Sequence, residues 1–184
     1  DMAGTTGRDP RLVELILQES DVILRATPHV IVAQTKTGHI VANAGIDRSN
    51  TGSTDGETYL LLPENPDRSA TGIRAGIQDL LGIAPGVIVS DSFGRPWRLG
   101  TTGIAIGVAG APALVDLRGR RDLDGKTLQN SEVAFADAVA AAAVMVMGEA
   151  DEACPVAVVR GLNWENSPQD SRSVLRPAAG DLFR

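Results

Sequence analysis

The apolar positions of the chain follow two periods, one helical and one alternating. Leu12, Val13, Ile16 and Leu17 share one helical face, and Asp9-Pro10 supplies a cap and a first-turn proline, so the pattern predicts a helix over 10–20. Val22–Arg25 reads as a short strand. Residues 29–35 and 39–43 read as two strands around Lys36-Thr37-Gly38, a hairpin turn by composition. Residues 51–58 are polar and Gly-rich and read as a mobile loop, and 59–62 as a short strand. Asn65 and Pro66 open a helix that carries Ile73, Ile77, Leu80 and Leu81 at helical spacing and stops near Gly82. Pro85-Gly86 then turns the chain into a strand, Val87–Val89.

The second half continues in the same manner. A small-residue strand over 104–110 and a short strand over 113–118 precede a charged loop, 118–126. Asn130 or Ser131 caps a long helix to Met147, and its face of Ala136, Ala140, Ala141 and Ala143 permits close packing. Pro155–Val159 reads as a buried strand. Residues 161–184 lack periodicity and read as a tail in which Asp181-Leu182-Phe183 docks as a short turn. The succession strand, polar turn, small-residue strand occurs at 30–45 and again at 87–110, a weak internal echo.

Composition narrows the class. The chain's 184 residues suffice for one domain, with room for two small subdomains. Apolar residues make up 43% but aromatics only 3%, so the core is built from Val, Ile, Leu and Ala, as in an α/β or α+β enzyme domain. The net charge of -6, without a basic run, argues against nucleic-acid binding. A single cysteine, Cys154, excludes an internal disulfide, fits a reducing cytoplasm and reads as a partly buried, inert thiol. The longest apolar stretch, 133–147, is broken by Asp137 and is too short to span a bilayer, so no membrane association is expected.

Chemistry concentrates in two stretches. Residues 91–98, Asp-Ser-Phe-Gly-Arg-Pro-Trp-Arg, place a carboxylate and a hydroxyl after an apolar strand and two guanidiniums just beyond. A strand-end acid followed by a Gly/Arg-rich loop suits a metal-bound phosphate: the carboxylate holds the cation and the arginines pair with the oxyanion. The stretch 42–50, Ala-Asn-Ala-Gly-Ile-Asp-Arg-Ser-Asn, offers Asp47 as a further cation ligand and Asn43 and Asn50 as donors and acceptors. A polar loop that satisfies only its own backbone is the competing reading there. An acidic loop at 149–152 could add one ligand. There is no phosphate-binding Gly-x-x-x-x-Gly-Lys-Ser/Thr loop, no Cys/His ligand set and no Gly-x-Ser-x-Gly elbow. His29 and His39 flank the hairpin turn and read as structural. Oxygen ligands favour Mg²⁺ or Mn²⁺ over zinc, and metal-assisted phosphoryl or nucleotide chemistry on a small substrate fits the residues best.

At these motifs the sequence resembles the coenzyme F420-0:L-glutamate ligase family, in residues 42–50, 61–67 and 91–98, and also in 104–110, 144–149 and the ending 181–184. The resemblance implies an α+β fold of two intertwined subdomains within one ligase domain spanning 1–184, assembled as a homodimer. It implies GTP-dependent addition of L-glutamate, by γ-linkage and through an acyl phosphate, to a deazaflavin coenzyme precursor. It further implies that Asp47, Asp91, Ser92 and Glu149 hold two Mg²⁺ or Mn²⁺ ions, with K⁺ as an added activator. By the same resemblance Asn50 and the loop of Met147, Gly148, Ala150, Asp151 and Cys154 contact GTP. Arg95 and Arg98 are the expected contacts to phosphate or substrate carboxylate. Two departures stand out: Ser92 occupies a position where the family usually has Thr, and the family's nucleotide-contacting N-terminal segment precedes the point where this chain begins. A related amide ligase with another acceptor, or a metal- or coenzyme-binding fragment without turnover, is the alternative.

Overall fold

Two helices open the chain in the computed structural model, which describes residues 2–52 and 58–181. The first, α1 (Met2–Thr6), is announced by no periodicity; the second, α2 (Pro10–Gln18), starts where its cap places it, with the Asp9 carboxylate accepting the Arg11 N–H at 2.8 Å. The antiparallel strands β1 (Ser20–Thr27), β2 (Val30–Thr35) and β3 (Ile40–Ala42) follow, in the order β1-β2-β3. β2 alternates between half-buried and buried positions, and its Ile31 meets Leu12, Val13 and Ile16 of α2 in one core.

The chain divides into two compact units: one runs up to Glu64 and is rejoined from Leu175, and the other spans Asn65–Val174. The architecture is α+β. The expected strand at 59–62 is reduced to one bridge, in which Leu60 and Asp47 exchange backbone hydrogen bonds of 2.8 and 3.1 Å.

In the second unit, α3 (Pro66–Leu81) begins at Asn65, whose side chain accepts the Arg68 N–H at 2.8 Å, and ends at a left-handed Gly82. Its expected core stripe is not buried: Leu80 is 84% exposed, and the helix buries Pro66 and Ala70 instead. Its first turn abuts the next sheet. Here lies the largest departure from the sequence reading. Residues 91–103 are not a loop; β4 (Val87–Arg95) and β5 (Arg98–Ala109) form one long antiparallel hairpin turning at Pro96-Trp97. Asp91 therefore sits within a strand, opposite Ile104, and not at a strand end. The two halves of the internal echo are thus both antiparallel hairpins, of very different length.

Glycine sets how close the helices come. A Cβ on Gly103 would stand 2.5 Å from the Ala140 carbonyl oxygen, and one on Gly107 would collide with the Pro66 carbonyl. Backbone cannot yield as a side-chain tip can, so these two positions admit no side chain. β6 (Leu114–Asp116) pairs with β7 (Glu132–Ala134), and α4 (Phe135–Met147) follows without a break. The cap expected at 130 or 131 is not used, because residues 132–134 complete that small sheet first. Ala136 and Ala140 are buried, and the core joins Ala105, Val108, Ala111, Ala113 and Ala136.

Residues 155–159 are no buried strand: they have no ladder partner among the described residues, and Val156 and Val158 are 73% and 76% exposed. Cys154 is likewise exposed, not half-buried. The first part of the tail, up to Val174, is tied into the second unit. Asp67 accepts the Val108 N–H (2.8 Å), the Ser171 N–H (2.9 Å) and the Ser171 hydroxyl (2.9 Å). Gln169 accepts the Ala113 and Leu114 N–H groups, and Trp164 donates to the Gly110 carbonyl. Most of the turn expected at 181–183 and of the loop expected at 51–58 lies outside the described residues.

Candidate active site

In the second unit the hairpin register builds the site. Ser92 pairs with Gly103 and Gly94 with Thr101, so strand alternation puts these four residues on one face. The bare Gly103 lets α4 settle on that face, and the chain leaving α4 through Gly148 brings Glu149 back over the hairpin. Ser92 Oγ donates to Glu149 Oε1 at 2.5 Å, and Thr101 Oγ1 donates to Oε2 at 2.8 Å. The bond from Ser92, then that from Thr101, holds the Glu149 carboxyl below the usual carboxylate range, against burial and the nearby Glu152. Each hydroxyl directs its one hydrogen at the carboxylate, which turns its oxygen lone pairs elsewhere.

Asp91 is half-buried, and its Oδ1 accepts the Ser92 N–H at 2.7 Å. Alternation sets its side chain on the face opposite Ser92. Arg95 and Arg98 face each other at the turn, where Trp97 adopts a left-handed φ of 63° and is 87% exposed. At roughly 3.3 Å per residue the two guanidinium-bearing residues start about 10 Å along the strand from Ser92.

Of the expected nucleotide loop, Met147 ends α4 and Ala150, Asp151 and Cys154 are exposed. The loop is shaped by Glu152, whose Oε2 accepts the Ala150 N–H at 2.8 Å; that bond holds the Glu152 carboxyl below the ordinary value. Met147 and Gly148 remain half-buried. Behind them is an apolar cavity of about 330 Å³ lined in part by Val139, Ala143, Met147, Val156 and Trp164.

Asp47 and Asn50 belong to the first unit. Asn43, Ala44 and Gly45 all take positive φ (51°, 55° and 71°), a tight left-handed turn in which Asn43 Oδ1 accepts the Ile31 N–H at 3.1 Å. Gly45 is demanded twice, by its φ and because a Cβ would stand 2.6 Å from the Leu62 side chain. The turn delivers an exposed Asp47. Its carboxylate accepts the Arg48 N–H (2.6 Å), the Ser49 N–H (3.0 Å) and the Ser49 hydroxyl. Burial works to raise this carboxyl, but the three bonds together outweigh it and hold it below its ordinary value. Asn50 is exposed with a φ of 52°. His39 is buried with its Nδ1 3.0 Å from the Thr37 hydroxyl, in keeping with a structural histidine.

Ser92 and Glu149 are thus brought together, while Asp91, next in sequence, sets its side chain on the opposite face of the hairpin. Sequence reasoning passed over Thr101, because its role depends on residues 91–103 being a hairpin. Had Pro96-Trp97 been taken as a turn, register would have set Thr101 diagonal to Ser92. No group of three or more His, Cys, Asp or Glu side chains suited to a metal occurs among the described residues, so the cluster here is one carboxylate with two hydroxyls. All are hard oxygen donors, the kind that Mg²⁺ and Mn²⁺ take.

Residues 1–161 match the F420-0:gamma-glutamyl ligase family. The chain belongs to that family. It is 44% identical to the coenzyme F420:L-glutamate ligase of Methanopyrus kandleri, with 100% of this chain and 73% of that protein covered. The like-named protein of Methanocaldococcus jannaschii is 45% identical over 100% of this chain and 72% of its own length. That of Haloarcula marismortui is 46% identical over 96% and 67%. Within this gamma-glutamyl ligase family the motif segments 42–50 and 91–98 acquire a structural reading: one is a left-handed turn that presents Asp47, the other the hairpin end that carries Asp91, Ser92 and the two arginines. No helix among the described residues is long and apolar enough to cross a membrane.

Proposed function

We propose that this chain is a coenzyme F420:L-glutamate ligase, which joins the amine of L-glutamate to a carboxylate of the coenzyme. The observation that carries this reading is the match along the whole chain, at 44–45% identity, to relatives that bear that name. The oxygen cluster at Ser92, Thr101 and Glu149 supports it, since amide formation from a free carboxylate needs activation and a place to hold phosphate charge.

In this reading GTP is the activating co-substrate. Its γ-phosphoryl group passes to a carboxylate oxygen of the coenzyme precursor, leaving GDP and an acyl phosphate. The glutamate nitrogen attacks the acyl carbon, phosphate departs with the C–O bond electrons, and the nitrogen loses a proton as the amide forms. Ser92 and Glu149 of the second unit would hold Mg²⁺ or Mn²⁺; Asp91, on the other face of the hairpin, and Asp47, in the first unit, are further candidate cation ligands. A bound cation neutralises phosphate charge. The Asp47 and Glu149 carboxyls stay ionised under ordinary conditions, as cation ligands must. Arg95 and Arg98 pair with phosphate or substrate carboxylate at the hairpin tip. Asn50 and the loop of Met147, Gly148, Ala150, Asp151 and Cys154 contact the nucleotide. K⁺ activation, a homodimer and a cytoplasmic location complete the proposal.

Incubating the protein with the coenzyme precursor, glutamate, GTP and Mn²⁺ should give, by mass spectrometry, product heavier by one or more glutamate residues, with one GDP released for each glutamate added. Product formation without GDP release would reject the GTP step. Turnover only with another acceptor would reassign the chain to a related amide ligase, and cation binding without any turnover would make it a binding protein.

A further inference from the structure

We propose that Thr101 is a positioning residue for the Glu149 carboxylate, fixing its plane so that Glu149 and Ser92 can take a divalent cation together. This rests on reading Ser92 and Glu149 as cation ligands, as above. Glu149 is exposed and its side chain turns about three bonds, so a single hydrogen bond leaves the carboxylate free to swivel about that contact. Ser92 fixes Oε1 and Thr101 fixes Oε2, and two points held from two strands fix the plane.

The spacing of those two points is a property of the sheet. Ser92 on β4 and Thr101 on β5 are diagonal neighbours on one face, separated by the bare Gly94 and Gly103 positions. A strand threonine is stiff at χ1, so its hydroxyl is aimed before Glu149 arrives. With both hydroxyl hydrogens given to Glu149, the Ser92 and Thr101 oxygens keep lone pairs for a cation or its water shell. Thr101 is itself exposed, so truncating it opens no cavity and its effect should fall on the site and not on the fold.

The test is Mn²⁺ affinity, read from the resonance of free Mn²⁺ on titration with parent protein, Thr101→Val, Thr101→Ser and Glu149→Ala, each with its thermal midpoint. Thr101→Val, which keeps shape and loses the hydroxyl, should bind Mn²⁺ about tenfold more weakly, the lower end for loss of a group that orients a ligand. Its midpoint should match the parent, and Thr101→Ser should restore most of the affinity. In turnover, KM for Mn²⁺ should rise while kcat at saturating Mn²⁺ holds. If Thr101→Val binds Mn²⁺ like the parent while Glu149→Ala is weakened, Thr101 positions nothing and the cation reading survives. Equal weakening in the Val and Ser variants with a lowered midpoint would make Thr101 merely structural. Failure of the parent to bind Mn²⁺ would remove the cation reading itself, and this inference with it.

Discussion

The Ser92 hydroxyl donates to the Glu149 carboxylate at 2.5 Å across 57 residues of sequence. What this contact needs from position 92 is a hydroxyl, which threonine also supplies. Ser92→Thr should therefore keep cation affinity and activity near the parent's. Ser92→Ala should raise the Mn²⁺ concentration needed for half-maximal rate about tenfold. Initial rates against Mn²⁺ concentration check both, and an unchanged requirement in the alanine variant would remove Ser92 from the site.

The same contact makes a pH prediction. Glu149 is held below its ordinary value in the folded protein, mainly by Ser92 and then by Thr101, with burial and Glu152 opposing. A carboxyl depressed in this way favours the folded arrangement at pH above its ordinary value of 4.5, and that contribution fades as pH falls through the lowered one. In carbon-detected NMR the Glu149 carboxyl should titrate below 4.5 in the parent and move up towards it in Ser92→Ala. An unchanged midpoint in that variant would contradict the assignment of cause.

Helix α4 reaches the hairpin only because Gly103 is bare. Gly103→Ala would place a methyl 2.5 Å from the Ala140 carbonyl oxygen and should cost about 1–3 kcal/mol of stability, the range for overpacking. Since the chain leaving α4 carries Glu149, the Mn²⁺ affinity should fall in parallel. Gly94→Ala, on the same face with nothing within 4 Å, is the control and should unfold in urea near the parent's midpoint.

Asp67 ties three donors from two distant parts of the second unit, Val108 on β5 and Ser171 in the tail. Asp67→Ala leaves the backbone N–H of a buried residue, Val108 or Ser171, without its acceptor at each place. Stability should drop by about 2–3 kcal/mol, and hydrogen exchange at Val108 and Ser171 should quicken. Equal exchange in parent and variant would show that other groups hold the tail.

What the sequence alone determined was local. Asp9-Pro10 and Asn65-Pro66 start helices and Gly82 ends one, because a cap satisfies backbone donors within three residues of itself. The family resemblance also named Asp47, Asp91, Ser92 and Glu149 as candidates, and of these the structure brings Ser92 and Glu149 into contact. Tertiary structure alone decided the rest. Residues 91–103 are strand because β4 and β5 find each other across the Pro96-Trp97 turn, although their polar side chains read as loop. Residues 155–159 read as strand and are not, because apolar alternation supplies no ladder partner. The site itself belongs to this second class. Thr101 meets Glu149 through strand register and a helix resting on a bare glycine, and both are long-range pairings that no window of neighbouring residues encodes.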